Sequence, residues 1–204
     1  MVDYIEPDDI NELLNITKYK EQLDIWYNNL NKKYLFMLID GNYGCGKTIF
    51  AKLYLKYKNY NVMYFDMTYY KNKTQVINNI IESFNKFDIT SYFDINKNKK
   101  NAYIIDNISN IFYKNDIIEL HNLFTKNNTI RPVLFIGKYD KIINFPKKKI
   151  SYIKIYSPTK NILLNIGKNI ISKYKLKIST INLNIYINKC QFDIRKLIIL
   201  LFNN

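Results

Sequence analysis

Residues 41–48 read GNYGCGKT, between the apolar run 34–39 (YLFMLI) and the stretch 49–57 (IFAKLYLKY). The chain has five glycines, and three of them, Gly41, Gly44 and Gly46, fall in this one segment. The spacing Gly41, four residues, Gly46-Lys47-Thr48 is that of a phosphate-binding loop, the Walker A pattern. Backbone N–H groups of such a loop turn inward around a polyphosphate, and side chains at the glycines would block that approach. The pattern predicts nucleotide contact from Gly41, Asn42, Tyr43, Gly44, Cys45, Gly46, Lys47, Thr48 and Ile49. Lys47 would reach the β- and γ-phosphates, and the Thr48 hydroxyl would hold Mg²⁺.

Both flanks have the type the loop requires. The run 34–39 is continuous and of strand length, as for a parallel strand covered on both faces. Beyond the loop, Ile49, Phe50, Leu53 and Tyr54 recur at helical spacing with lysines between them. Strand, loop, helix is the order that aims a helix N-terminus at an anion.

Four more apolar runs follow, at 61–65 (NVMYF), 102–105 (AYII), 133–136 (VLFI) and 152–156 (YIKIY). Helical patterns lie between them at 47–58, 74–87 and about 116–127. Strands alternating with helices predict an α/β fold, a five-stranded parallel sheet with strand 34–39 central. The stretch 96–101 (NKNKKN) reads as a solvated loop. After Ser157-Pro158 the strands stop, and 159–175, 178–189 and 193–202 read as three helices. The expected division is a nucleotide-binding core over 1–157 and a small three-helix lid over 158–204.

A nucleotide-hydrolysing site also needs a carboxylate at a neighbouring strand end to support Mg²⁺. The run in NAYIIDNIS ends on Asp106, which makes Asp106 and Thr48 the candidate metal residues. Asn107 follows it. An amide can orient water but cannot take its proton, so hydrolysis is expected to be slow. In LFIGKYD, another strand end, Lys138 falls where the γ-phosphate would lie. QFDIRKLIILL starts a helix at Asp193, with Arg195 close behind as a phosphate clamp.

Composition sets the outer bounds. Net charge is +14, yet only two of the 31 basic residues are arginines, Arg131 and Arg195. Lysine-borne charge fits contact with DNA phosphates more than base reading. With a single histidine, His121, a zinc site or a histidine-based triad is disfavoured. Cys45 and Cys190 suggest no disulfide framework and hence a reducing, intracellular compartment, the nucleus or a cytoplasmic replication site. No apolar run reaches the roughly 18 residues of a membrane span, and the acidic start MVDYIEPDD lacks a signal-peptide layout. The excess of Lys, Asn, Ile and Tyr matches an A/T-rich genome, a viral one included.

These segments together resemble the AAA+ ATPases of the clamp-loader group, above all the large subunit of replication factor C. YIEPDDINELLN looks like the family's tyrosine–proline opening segment, which implies that Tyr4 and Pro7 border the adenine. LDIWYNNL is similar to the tryptophan-bearing helix before the phosphate loop, and FDMT (65–68) falls at the Asn-Ala-Ser-Asp segment. IIDN matches Walker B, with Asn107 where a Glu that polarises the attacking water is usual. RPVLFIGKYD sits at sensor 1, which leaves Lys138 or Tyr139 for that role, and FDIRKLIILL makes Arg195 the sensor 2 candidate. The Ser-Arg-Cys finger of the small subunits has no counterpart in KKKISYI (147–153), and no collar segment follows Asn204. The resemblance implies ATP and Mg²⁺ as cofactors, DNA as a partner, and other AAA+ subunits or a sliding clamp in a replication complex. A non-hydrolysing ATP-binding scaffold is the alternative. A nucleoside-monophosphate kinase fits poorly, because those enzymes surround their phosphates with several arginines.

Overall fold

The computed structural model describes residues 7–13, 16–30, 36–85, 99–108, 114–126, 131–138 and 150–203. Its first strand, Phe36–Gly41 (β1), shows how the sheet is covered. Successive side chains of a strand point to opposite faces. Met37 and Ile39 accordingly join one hydrophobic cluster and Phe36 and Leu38 another, all four at most 2% exposed. A strand buried on both sides needs helices on both faces, and the chain supplies them.

The first face is covered by Thr17–Asn28 (α1) and Lys47–Tyr57 (α2), through Leu23 and Trp26 on α1 and Phe50, Ala51, Leu53, Tyr54 and Leu55 on α2. The second is covered by Lys73–Asn85 (α3) and Lys114–Lys126 (α4), through Val76, Ile80, Leu120 and Phe124. Burying an aromatic such as Phe36 or Phe50 is worth about 1.5–3 kcal/mol, and both faces are rich in such rings. His121 packs edge-on against Phe36 at 5.7 Å, the structural role of a packed histidine.

The remaining strands are Asn61–Asp66 (β2), Asn101–Asp106 (β3), Val133–Ile136 (β4) and Ile150–Ile155 (β5). The sheet runs β2-β3-β4-β1-β5, and every pairing is parallel. The five-stranded parallel sheet is therefore as expected, with one difference in position. β1 is interior, between β4 and β5, and the middle place belongs to β4. All four β4 residues are buried, as a middle strand demands, whereas β2 lies at an edge and buries only Phe65 fully. β1 also runs on to Gly41, the first loop glycine, and residues 34 and 35 lie outside the described residues.

After β5 come Lys160–Lys173 (α5), Thr180–Lys189 (α6) and Ile194–Phe202 (α7). Each has a side-chain cap: Thr159, Ser179 and Asp193 accept from first-turn N–H groups. Leu163, Leu183, Ile187, Cys190, Leu197 and Leu201 form a third cluster of their own. Among the described residues no helix is long and apolar enough to cross a membrane, and Cys45 and Cys190 are free thiols.

Candidate nucleotide site

Parallel pairing brings the C-terminal ends of β1, β3 and β4 to one edge of the sheet, where open α/β folds place their ligands. Gly41, Asp106 and Lys138 all lie at this edge. The loop 41–46 turns directly into α2. Gly46 caps α2 in the left-handed region (φ 90°) with no side-chain hydrogen bond, in contrast to α5, α6 and α7. The first-turn N–H groups of α2 thus lack the side-chain acceptor that the other three helices have. A Cβ on Gly46 would meet nothing within 4 Å, so the space beside this loop glycine is open. Open donors at a helix N-terminus make an anion site.

Lys47 Nζ donates to the carbonyls of Gly41 at 2.9 Å and Asn42 at 2.6 Å, which holds its ammonium over the loop. Asn42 Nδ2 donates to Ser157 Oγ at 3.0 Å, anchoring the loop to the segment after β5. Cys45 is buried beside Ile155, and burial pushes its thiol up despite nearby Lys47. Tyr43 projects into solvent with two cations near its ring, Lys47 Nζ at 5.9 Å and Lys138 Nζ at 5.4 Å from the centroid. Lys138 therefore does reach the loop face. Tyr139 and Tyr4 lie outside the described residues; Pro7 is half-buried beside the turn Ile10–Glu12, whose Ile10 packs into the first cluster.

Thr48 Oγ1 donates to Asp106 Oδ2 at 2.6 Å, which brings the two candidate metal residues together. The pair offers hard oxygen donors, the ligand type Mg²⁺ takes. Asp106 is 6% exposed, and its Oδ2 also accepts from the Tyr64 hydroxyl at 3.2 Å. Burial and the facing carboxylates of Asp106 and Asp66 push the Tyr64 phenol well above its ordinary range, so it stays a donor.

Asn107 has a left-handed backbone (φ 55°), a conformation that asparagine tolerates better than most residues. Its Nδ2 donates to Asp66 Oδ1 at 2.9 Å. Asp66 is the residue that sequence reasoning missed. It stands beside Asp106 in the β2–β3 register and also accepts from the N–H and hydroxyl of Thr68 at 2.9 and 2.8 Å. Burial works to raise its carboxyl, but these donors outweigh it and hold the group below the usual carboxylate value. The signal was present in FDMT, where an Asp ends an apolar run as Asp106 does.

The C-terminal helices touch the loop directly. Ile194 N–H donates to Gly44 O at 3.0 Å. Asp193, which caps α7 through the N–H groups of Arg195 and Lys196, fills the space where a Gly44 Cβ would stand. Arg195 thus lies in the first turn of a helix whose start is anchored on the phosphate loop, with its side chain exposed. The other arginine is placed elsewhere: Arg131 Nη1 donates to the Tyr103 hydroxyl at 2.9 Å, ahead of β4 at the opposite end of the strands.

No family model and no curated protein sequence matches the chain. Solved structures do. The Holliday junction branch migration motor RuvB of Thermotoga maritima aligns over 95% of this chain with a TM-score of 0.66 at 14% identity. A point variant of the same protein gives 0.67 at 15% identity, again over 95% of this chain. The chain spans 62% of the length of the first of these structures and 64% of the second. At this identity the likeness establishes the fold: a P-loop core of the AAA+ type with helices at its C-terminus.

Proposed function

We propose that this chain is an ATP-binding AAA+ module that acts on DNA within an oligomeric assembly, with slow intrinsic hydrolysis. The observation that carries the reading is the convergence of four groups at one sheet edge. These are the uncapped N-terminus of α2, the Lys47 ammonium, the bonded pair Thr48–Asp106, and the start of α7 docked on Gly44. The loop N–H groups and Lys47 would hold the β- and γ-phosphates. Thr48 and Asp106 would hold Mg²⁺, directly and through water, and the ion when bound neutralises charge on the phosphates. Lys138 and Arg195 would add positive charge from two further elements. The division into a core over 1–157 and a lid over 158–204 belongs to the same reading, with the Ile194–Gly44 contact linking the two.

Within the AAA+ class we place the chain beside the clamp-loader subunits, on the segments that resemble replication factor C and on the missing Ser-Arg-Cys finger. A partner subunit would then complete the catalytic arrangement, a finger being worth about 10³–10⁵ in rate. The amide at Asn107 supports the variant of this reading in which ATP binding, more than turnover, holds the assembly together. RuvB of Thermotoga maritima is a Holliday junction branch migration motor, so work on DNA is common ground between the two likenesses.

Titration with a fluorescent ATP analogue tests the site. Lys47→Ala removes a charge-assisted contact of about 1.5–3 kcal/mol, so affinity should fall at least about tenfold. Unchanged affinity would remove the nucleotide-site assignment.

A further inference from the structure

The edge strand β5 presents two unlike faces. Ile153 and Ile155 join the first hydrophobic cluster and are 2% and 6% exposed. Tyr152 and Lys154 point the other way, beside Leu38 and Asp40 of β1 in the parallel register. On that side α3 and α4 share a cluster with residues of β1 to β4, and among the described residues β5 adds only the partly buried Ile150. Tyr152 is accordingly 41% exposed, Lys154 lies in solvent, and Tyr156, one residue past the strand, is 66% exposed.

This stripe is held in place. The Tyr152 hydroxyl donates to Asp40 Oδ2 at 2.9 Å, and the Tyr156 N–H donates to the Tyr19 hydroxyl of α1 at 3.3 Å. Lys154 Nζ stands 5.8 Å from the centre of the Tyr156 ring. Asp40 is the acid next to the stripe, and its other oxygen accepts from Gly41 N–H at 2.6 Å. Four residues of a parallel strand span about 13 Å, which sets the two rings apart at the spacing of bases on alternate nucleotides of an extended strand.

We infer that the open face of β5 is a stacking site for single-stranded nucleic acid: bases lie on Tyr152 and Tyr156, and Lys154 takes the phosphate between them. Aromatic side chains on an exposed sheet face are the geometry on which RNA-binding sheets stack bases, and ring plus cation is the pairing that holds single strands without reading sequence. The net charge of +14 draws a polyanion to the molecule. A protein partner would seek aliphatic anchors here, but the isoleucines of 152–156 are turned inward. A duplex keeps its bases stacked on one another, so it would meet the lysine and leave the rings unused. The site deepens the DNA part of the proposed function and is independent of the phosphate loop, so nucleotide is left out of its test.

Fluorescence anisotropy with labelled oligo(dT), oligo(rU) and a duplex of the same length decides it. Y152A and Y156A should each weaken single-strand binding by at least about fivefold, since losing one base–ring stack costs about 5- to 150-fold. Y152F and Y156F should bind like wild type, because the ring stacks without its hydroxyl. They also separate stacking from the Tyr152–Asp40 bond, whose loss with Y152F touches the fold alone. K154A should reduce the single-strand salt slope by about 0.7, the share of one phosphate contact. Duplex affinity should stay the same in all four tyrosine variants. The two oligonucleotides tell DNA from RNA as the source, and ring-dependent binding of either supports the site. Wild-type affinity of Y156A for both would overturn it. So would an equal loss on the duplex, which would leave general charge as the cause. Duplex binding with no ring effect on single strands removes this site and leaves the DNA reading standing, whereas no binding to any of the three removes both.

Discussion

Gly44 is where the phosphate loop and the C-terminal helices meet. Its φ of 70° lies in the left-handed region, and the Asp193 carboxylate occupies the space a Cβ would need. Gly44→Ala therefore adds backbone strain of about 1–2 kcal/mol and pushes Asp193 off the loop. Asp193 also caps α7, so its displacement loosens the first turn of that helix as well. We expect two consequences from this one methyl group. Amide exchange at Ile194 and Arg195 should speed up at least about tenfold, since their N–H groups bond to Gly44 O and Asp193 Oδ1. ATP affinity should fall together with it. Unchanged exchange at Ile194 would mean that the α7 contact does not depend on Gly44.

At the scale of elements, packing of the three C-terminal helices is set by another glycine. A Cβ on Gly167 of α5 would come within 2.6 Å of Leu183 Cδ1 on α6, and Leu183 is buried. Gly167→Val should cost about 2–3 kcal/mol through overpacking, read as loss of amide protection confined to α5–α7. Uniform protection loss across the sheet would mean that these helices do not open as a unit. Gly167 sits within the apolar stripe of α5, so the helix was legible in the sequence while the close approach was not. The same limit applies to the sheet. Strand identity was readable because parallel strands buried on both faces are continuous apolar runs. Their spatial order was not, since 61–65 (NVMYF) looks as apolar as 133–136 (VLFI), yet one forms an edge and the other the middle. The site divides in the same way. Lys47, Thr48 and Asp106 follow from motif spacing and strand ends, which are local signals. Asp66 could not be tied to Asn107 from the sequence, because no local pattern links residues 41 apart that meet only through the β2–β3 pairing.

For the whole molecule the dominant quantity is charge. Thirty-one basic residues against 17 acidic ones leave a net +14, an excess of cations that ion pairs such as Lys58–Asp24, Lys73–Asp116 and Lys173–Glu12 cannot offset. Lysine ammonium groups contact phosphates as point charges and carry no base-reading geometry. A protein of this kind should bind DNA by counterion release, with log affinity falling linearly in log salt at a slope near −0.9 per phosphate contacted on a duplex. With several lysines engaged, affinity between about 50 and 200 mM salt should fall by roughly 10³ or more. Shuffling the duplex sequence should change it by less than about threefold. Fluorescence anisotropy over a salt series with two unrelated duplexes measures both quantities. A shallow slope, or strong preference for one sequence, would point to a few specific contacts in place of a diffuse lysine surface. Repeating the series with the K47A variant separates the two sites of positive charge. Lys47 is one cation among many for DNA but the principal one over the phosphate loop. Its loss should therefore leave the salt slope within about one unit while ATP affinity falls at least about tenfold.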